Sequence, residues 1–234
     1  MIFAPKYCKE TPIFNYNIEL NSHKLTKPNC IKYLGVFMDQ GLTWATHIDH
    51  VCNKLKACIP LFYKARQIVS SDCLVQIFQS FAYSNISYAC EVYGNANETV
   101  LNRLHTTCNR LLRVMLKKPL KYKVNELYKQ LRVLPVSLLF RFKVVLLAYN
   151  CVFNSEALPF YFHNLLTYNS NVHSHSTRSA FELHVFSHTA TYEGKCFRHS
   201  APVLWNKLPV SLGTAKSLTE FKRKVKDFYL DNLN

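Results

Sequence analysis

Cys30-Ile31-Lys32-Tyr33-Leu34-Gly35-Val36-Phe37-Met38-Asp39-Gln40-Gly41-Leu42-Thr43-Trp44 is the stretch at which this chain changes its pattern. Residues 31–38 are apolar or β-favouring except for Lys32 and Gly35. Such a run, bounded by turn formers, predicts a strand covered on both faces. Asp39-Gln40-Gly41 then breaks it, with Gly41 free to take a positive φ. From Thr43 the apolar spacing becomes three and four. Ile48, Val51, Cys52, Leu55, Ile59 and Phe62 fall on one helix face, and Thr43 is placed to cap it. The stretch therefore joins a strand-bearing beginning to a long helical continuation.

Upstream, the sequence predicts two further short strands, at 2–4 and 14–20, punctuated by Pro5, Pro12, Asn21-Ser22 and Pro28-Asn29. Three short strands without a cover make a poor domain. The expectation is that this part packs on something else and that the chain begins partway through a larger fold.

Downstream, helical spacing dominates. A first helix is expected over 43–67, kinked at Pro60 because proline lacks an N–H and clashes with the preceding turn. Ser71-Asp72 caps a second helix, with Leu74, Ile77, Phe78 and Phe81 as its buried stripe. Asn97 caps a third, over 98–117. On that helix Leu101, Leu104, Cys108, Leu111, Leu112 and Met115 gather on one side, and Arg103, Arg110, Arg113 and Lys117 on the other. Between residues 101 and 132 there are nine basic residues and one acidic, Glu126. A one-signed stripe running into a Lys-rich loop with Tyr122 suits a phosphate backbone, because solvated faces normally mix both signs.

Pro135 opens a fourth helix over 136–153 that is apolar nearly all round, as the centre of a bundle is. Arg141 and Lys143 interrupt it, either reaching solvent by their stems, the favoured reading, or binding phosphate at a groove floor. Beyond it come a short helix over 157–166, a polar loop over 167–179, and a strand pair over 181–186 and 189–199. The capping box Ser217-x-x-Glu220 starts a last helix whose buried face is Leu218, Phe221, Val225 and Phe228 or Tyr229.

Composition narrows the function. There are 29 Lys plus Arg against 14 Asp plus Glu, a formal charge of +15, which points to a polyanionic partner. Nine cysteines with no C-x-x-C pair read as buried free thiols in a reducing compartment. No signal peptide is legible, and the longest apolar run, 144–149, is far short of a membrane span. The expected location is cytoplasmic or nuclear, not secreted and without a membrane partner. Five glycines leave no room for a phosphate-cradling loop. His173, His175, His184, His188 and His199 crowd near Cys196, but their spacing matches no paired metal motif, so no metal site is expected.

Several boxes carry a family resemblance. Lys32-Tyr33-Leu34-Gly35-Val36, Asp39, Leu42, Trp44 and His47-Ile48 resemble the segment that follows the polymerase palm in jockey-like non-LTR retrotransposon reverse transcriptases. Tyr88-Ala89-Cys90-Glu91-Val92-Tyr93-Gly94 is similar to the family's Tyr-Gly-x-x-x-Trp-Gly box, with Ala89 and Tyr93 in place of Gly and Trp. Thr177-Arg178, Ala201-Pro202-x-x-Trp205-Asn206-x-Leu208-Pro209 and Ser217-Leu218-x-x-Phe221-Lys222 follow in the family's C-terminal order.

The resemblance implies an α+β, mainly α architecture: the edge of a palm sheet over 1–41, a helical thumb-like domain over 42–156, and a C-terminal region over 157–234 with a strand pair and a final helix. It implies a primer–template grip in which Arg103, Arg110, Arg113, Lys117, Lys118, Lys121 and Lys123 contact the phosphates of RNA or an RNA/DNA duplex with low sequence specificity. The missing upstream polymerase half is a further expected partner. Polymerase chemistry needs metal ions held by neighbouring carboxylates, Mg in the full-length family. No two acidic residues are adjacent in this chain. It is expected to have no catalytic residues, to bind no cofactor of its own and to be inactive as a polymerase. The alternative is a transposon remnant or protein-interaction domain without independent activity.

Overall fold

Backbone conformation explains the first departure from expectation. The structure is a computed structural model that describes residues 19–21, 23–24, 28–172, 179–187, 193–213, 215 and 217–233. The expected strand at 2–4, most of that at 14–20, Cys8, His173, His175, Thr177-Arg178 and His188 lie outside those residues. Glu19–Leu20 (β1) pairs antiparallel with His23–Lys24 (β2). The expected single strand over 31–38 is instead a hairpin of Cys30–Tyr33 (β3) and Val36–Asp39 (β4), with Tyr33 opposite Val36. Leu34 (φ 44°) and Gly35 (φ 81°) both hold positive φ, the signature of a two-residue type I′ turn. It is not covered on both faces either: Val36 is buried, while Tyr33 and Leu34 are exposed.

The chain divides into two compact units, at residues 1–122 and 123–234. In the first, the helix Ala45–Ile68 (α1) continues through Pro60, which lies on its exposed side. Its expected apolar face is buried at Ile48, Val51, Cys52, Leu55 and Phe62. The cap differs from expectation. Trp44 is the N-cap, at φ 63°, and the Asp39 carboxylate accepts from the N–H groups of Thr43 (2.9 Å) and Trp44 (2.8 Å). Asp39 thus satisfies donors ahead of the first helical turn, where a negative charge is favourable.

Ser70 accepts from the Cys73 N–H and caps Ser71–Ile77 (α2). The chain then widens into a π-helical turn, Phe78–Tyr83, before the short helices Ser84–Ser87 (α3) and Cys90–Tyr93 (α4). The buried positions here are Leu74, Phe78, Ala82 and Ile86, a strict step of four, which turns wider than an α-turn accommodate. Phe81, expected in the core, is therefore turned out to 59% exposure. The helix Glu98–Met115 (α5) packs extensively on α1 and buries Leu104, Cys108, Leu111, Leu112 and Met115.

The second unit starts with Val124–Leu131 (α6) and is built around Val136–Phe153 (α7). By length and composition α7 is apolar enough to cross a membrane, although the sequence was expected to hold no such segment. Here it is a core helix carrying eight buried residues, with Arg141 exposed. The expected helix over 157–166 is reduced to tight 3-10 turns at Ser155–Ala157 and Phe160–Phe162, and Asn169–Val172 (α8) follows.

The expected C-terminal strand pair does not form among the described residues. Residues 181–187 make one isolated bridge, Leu183 to Tyr168. Residues 197–205, with His199, are a helix, Phe197–Trp205 (α9). The helical spacing of Phe197, Ala201, Leu204 and Trp205 wins over a short alternation, because it sets those side chains on Val144 and Ala148 of α7. Val210–Gly213 (α10) leads to Leu218–Asp231 (α11), whose Ser217 side chain accepts from the Glu220 N–H as the capping box predicts. Phe221 of α11 stacks on Tyr149 of α7, ring centroids 4.4 Å apart.

Candidate nucleic-acid interface

The α1–α5 pair sets the geometry of the basic stripe. Near the start of both helices Asp49 of α1 meets Arg103 of α5 at 2.6 Å. In their last turns Arg66 of α1 donates through Nη1 to the Val114 carbonyl of α5, at 2.6 Å. The two helices therefore run in the same direction and bring their C-terminal ends together. Both ends carry the negative pole of the helix dipole and last-turn carbonyls without an i+4 amide partner, which favours cations there.

The end of α5 is closed by backbone geometry that normally asks for glycine. The Lys118 N–H bonds the Arg113 carbonyl (2.9 Å), the Lys117 N–H bonds the Val114 carbonyl (3.4 Å), and Lys117 holds φ 54°. This is a Schellman closure with lysine at the left-handed position. The Val114 oxygen thus takes both the Arg66 guanidinium and the Lys117 amide. Arg113 Nη2 donates to the Tyr122 carbonyl at 3.3 Å and holds the loop that follows. Two aromatic rings complete the arrangement. The Arg66 guanidinium lies 4.2 Å from the Tyr63 centroid, and the Lys118 ammonium 4.8 Å from that of Tyr122. The Nε atoms of Arg66 and Arg113 are buried and have no partner among the described residues.

The sequence-predicted site residues separate accordingly. Arg113, Lys117 and Lys118 are drawn to one end of the first unit, with Lys121 exposed in the adjoining loop. Arg110 is exposed two helical turns from Arg103, on the same face. Arg103 itself sits at the opposite end and is engaged by Asp49. Such an exposed pair is worth little in stability, but the Asp49 charge offsets the attraction Arg103 offers to an anion. Arg113 is half-buried and tethers the loop, so it is an anchor as much as a contact. Lys123 is the first residue of the second unit. Arg66 and Tyr63 were not foreseen; a basic residue in the last turn of the first helix was their only signal.

The boxes that carried the family resemblance meet in the same unit, in a structural junction. The Tyr88 hydroxyl donates to the Leu34 carbonyl at the hairpin tip. A Cβ on Gly35 would lie 3.3 Å from the Tyr88 ring. The Phe37 N–H donates to Nδ1 of the buried His47 at 3.4 Å, and the His47 ring meets Tyr93 edge-on, centroids 4.8 Å apart. Burial, then the charges of His50 and Lys54, push the His47 imidazole down to about 4. Burial raises the Tyr93 hydroxyl above its ordinary range while it donates to the Ile86 carbonyl. Ala89, where the family box has glycine, holds φ 51°. In the second unit Asn206 of the Trp205-Asn206 box clamps both backbone groups of Leu183, at 3.0 and 2.9 Å.

Three carboxylates isolated in the sequence have structural places. Asp39 caps α1, Asp49 pairs with Arg103, and Asp72 lies in the first turn of α2. His184 bonds the Asn169 side chain and His199 the Phe186 carbonyl. Among the described residues no three His, Cys, Asp or Glu gather as a metal set.

Comparison with known proteins finds relatives in one group. The chain is 25% identical over 114 residues to a probable RNA-directed DNA polymerase from transposon X-element of Drosophila melanogaster. It is 28% identical over 119 residues to the RNA-directed DNA polymerase from mobile element jockey of Drosophila funebris, and 25% identical over 119 residues to its Drosophila melanogaster counterpart. These matches cover 47–50% of this chain and 11–13% of the relatives' own lengths. The resemblance to non-LTR retrotransposon RNA-directed DNA polymerases is therefore real over about half of the chain. No family model and no solved structure matches it.

Proposed function

We propose that this chain is a nucleic-acid-gripping, post-catalytic part of a retrotransposon RNA-directed DNA polymerase, with the first unit as its phosphate-binding body. The observation that carries the reading is the gathering of Arg66, Arg113, Lys117 and Lys118 at the shared C-terminal end of α1 and α5. The stretch from Thr99 to Asn125 has seven basic residues and no acidic one. Cations held at a helix-pair end suit phosphate oxygens, which fix position without reading sequence. The partner is RNA or an RNA/DNA duplex, bound with low sequence specificity. Magnesium and the paired carboxylates that hold it would come from the remainder of a longer polymerase. This chain alone incorporates no nucleotides on this reading.

The test is charge reversal at two exposed positions of the first unit. Arg110→Glu with Lys121→Glu should weaken binding of an RNA/DNA duplex strongly and leave the thermal melt in place. Arg103→Glu should matter less, since Asp49 already engages that guanidinium. Unchanged affinity in the double variant rules the assignment out.

A further inference from the structure

Tyr63 is an aromatic surface standing where a polyanion is expected. It is 53% exposed, so the burial that ordinarily explains a tyrosine does not explain this one. One of its faces is covered by the Arg66 guanidinium at 4.2 Å. That guanidinium is not mobile: its Nη1 is fixed to the Val114 carbonyl at 2.6 Å. The same oxygen accepts the Lys117 N–H, so the tyrosine, the arginine and the exposed lysine form one contiguous group. The nearby Lys118–Tyr122 contact repeats the combination of cation and ring. A cation held over one aromatic face fixes the orientation of the ring, and half of the tyrosine stays exposed.

We propose that Tyr63, backed by Arg66, is a stacking platform for an unpaired base of a single-stranded nucleic acid, with Lys117 beside it to take the strand's phosphate. This rests on the nucleic-acid reading above and goes beyond it, because the bases inside a duplex are stacked on one another and leave only phosphates and sugars along its length. Stacking on an exposed aromatic ring is tolerant of sequence, since every base has a π-face, and it suits a positively charged surface that follows a backbone. The platform therefore adds a preference for a single strand, or for a single-stranded overhang beside a duplex, without adding sequence specificity. Arg66→Lys keeps the charge but loses the planar group that holds the ring, so it should weaken the platform as well.

The experiment compares three probes on the intact chain: a single-stranded RNA, the same strand with abasic positions, and a blunt RNA/DNA duplex. The wild-type protein should bind the abasic strand roughly five- to hundredfold more weakly than the normal strand, the range expected for loss of one stacked base. Tyr63→Ala should bind the normal and the abasic strand equally weakly, losing the preference that the wild type shows. Tyr63→Phe, which keeps the ring, should retain the preference. Equal binding of normal and abasic strands by the wild type overturns the platform, and that comparison needs no variant to fold. If duplex binding persists in that case, the grip stands and only the stacking fails. If no probe binds, the grip itself has failed.

Discussion

Replacing Lys117 separates stability from binding in a way few surface positions allow. Lys117 sits at φ 54°, the left-handed closing position of α5, with its N–H on the Val114 carbonyl. An L-residue there costs about 1–2 kcal/mol relative to the right-handed region. Glycine escapes that cost but has more freedom to lose on folding, about 0.4–1 kcal/mol. Removing the ammonium from the helix end costs a further ~0.3 kcal/mol at an exposed site. Lys117→Gly should therefore be roughly half a kcal/mol more stable than the wild type. Lys117→Ala, which loses the charge and keeps the strained Cβ, should be about 1 kcal/mol less stable than the glycine variant, a melting difference of roughly 2–5 °C. Both variants lose the same charge. Both should lower the slope of log K against log salt by about 0.7–0.9, one phosphate contact's worth. Thermal melts and salt-titrated fluorescence anisotropy read the two quantities separately. Equal stability of the glycine and alanine variants refutes the strain argument, and an unchanged salt slope in both removes Lys117 from the interface.

Ala89, at φ 51° ahead of α4, should respond likewise: Ala89→Gly is expected to raise stability by roughly 0.5–1 kcal/mol in urea unfolding. His47 predicts a pH dependence. Its folded pKa, about 4, lies below the ordinary 6.5, so the unfolded chain binds the extra proton between those values. Its contribution is fully present above pH 6.5 and is lost as pH falls toward 4, at roughly 1.4 kcal/mol per pH unit. His47→Phe should flatten that part of a stability-versus-pH curve. Asn206→Ala strips both backbone partners from buried Leu183 and should cost about 2–4 kcal/mol, visible as a lowered melt of the second unit.

The helices 98–115, 136–153 and 218–231 were legible because period and punctuation agree there. Ser217 caps as its spacing says, and five of the six apolar residues expected on the inner face of α5 are buried, Leu101 being only half-buried. The hairpin was not legible, because Leu34 occupies a left-handed turn position that turn chemistry assigns to Asn, Asp or Gly. Seven described non-glycine residues hold positive φ, so in this glycine-poor chain turn residues are a weak guide. The buried set of α2 and its continuation slipped because a π-turn changes the phase after Phe78, which no 100° template anticipates. The basic stripe was visible as spacing and sign. Its partition was not, because Asp49 reaches Arg103 and Arg66 reaches Val114 across about fifty residues of sequence, 54 and 48 positions apart.

The most direct test of the grip is the affinity of the wild-type chain for an RNA/DNA duplex, measured from low to moderate salt. Binding should be measurable, with log K falling linearly with log salt at a slope near −3 to −5 for about four to six phosphate contacts, and with little change with sequence. Absence of binding at low salt, or affinity indifferent to salt, would contradict it.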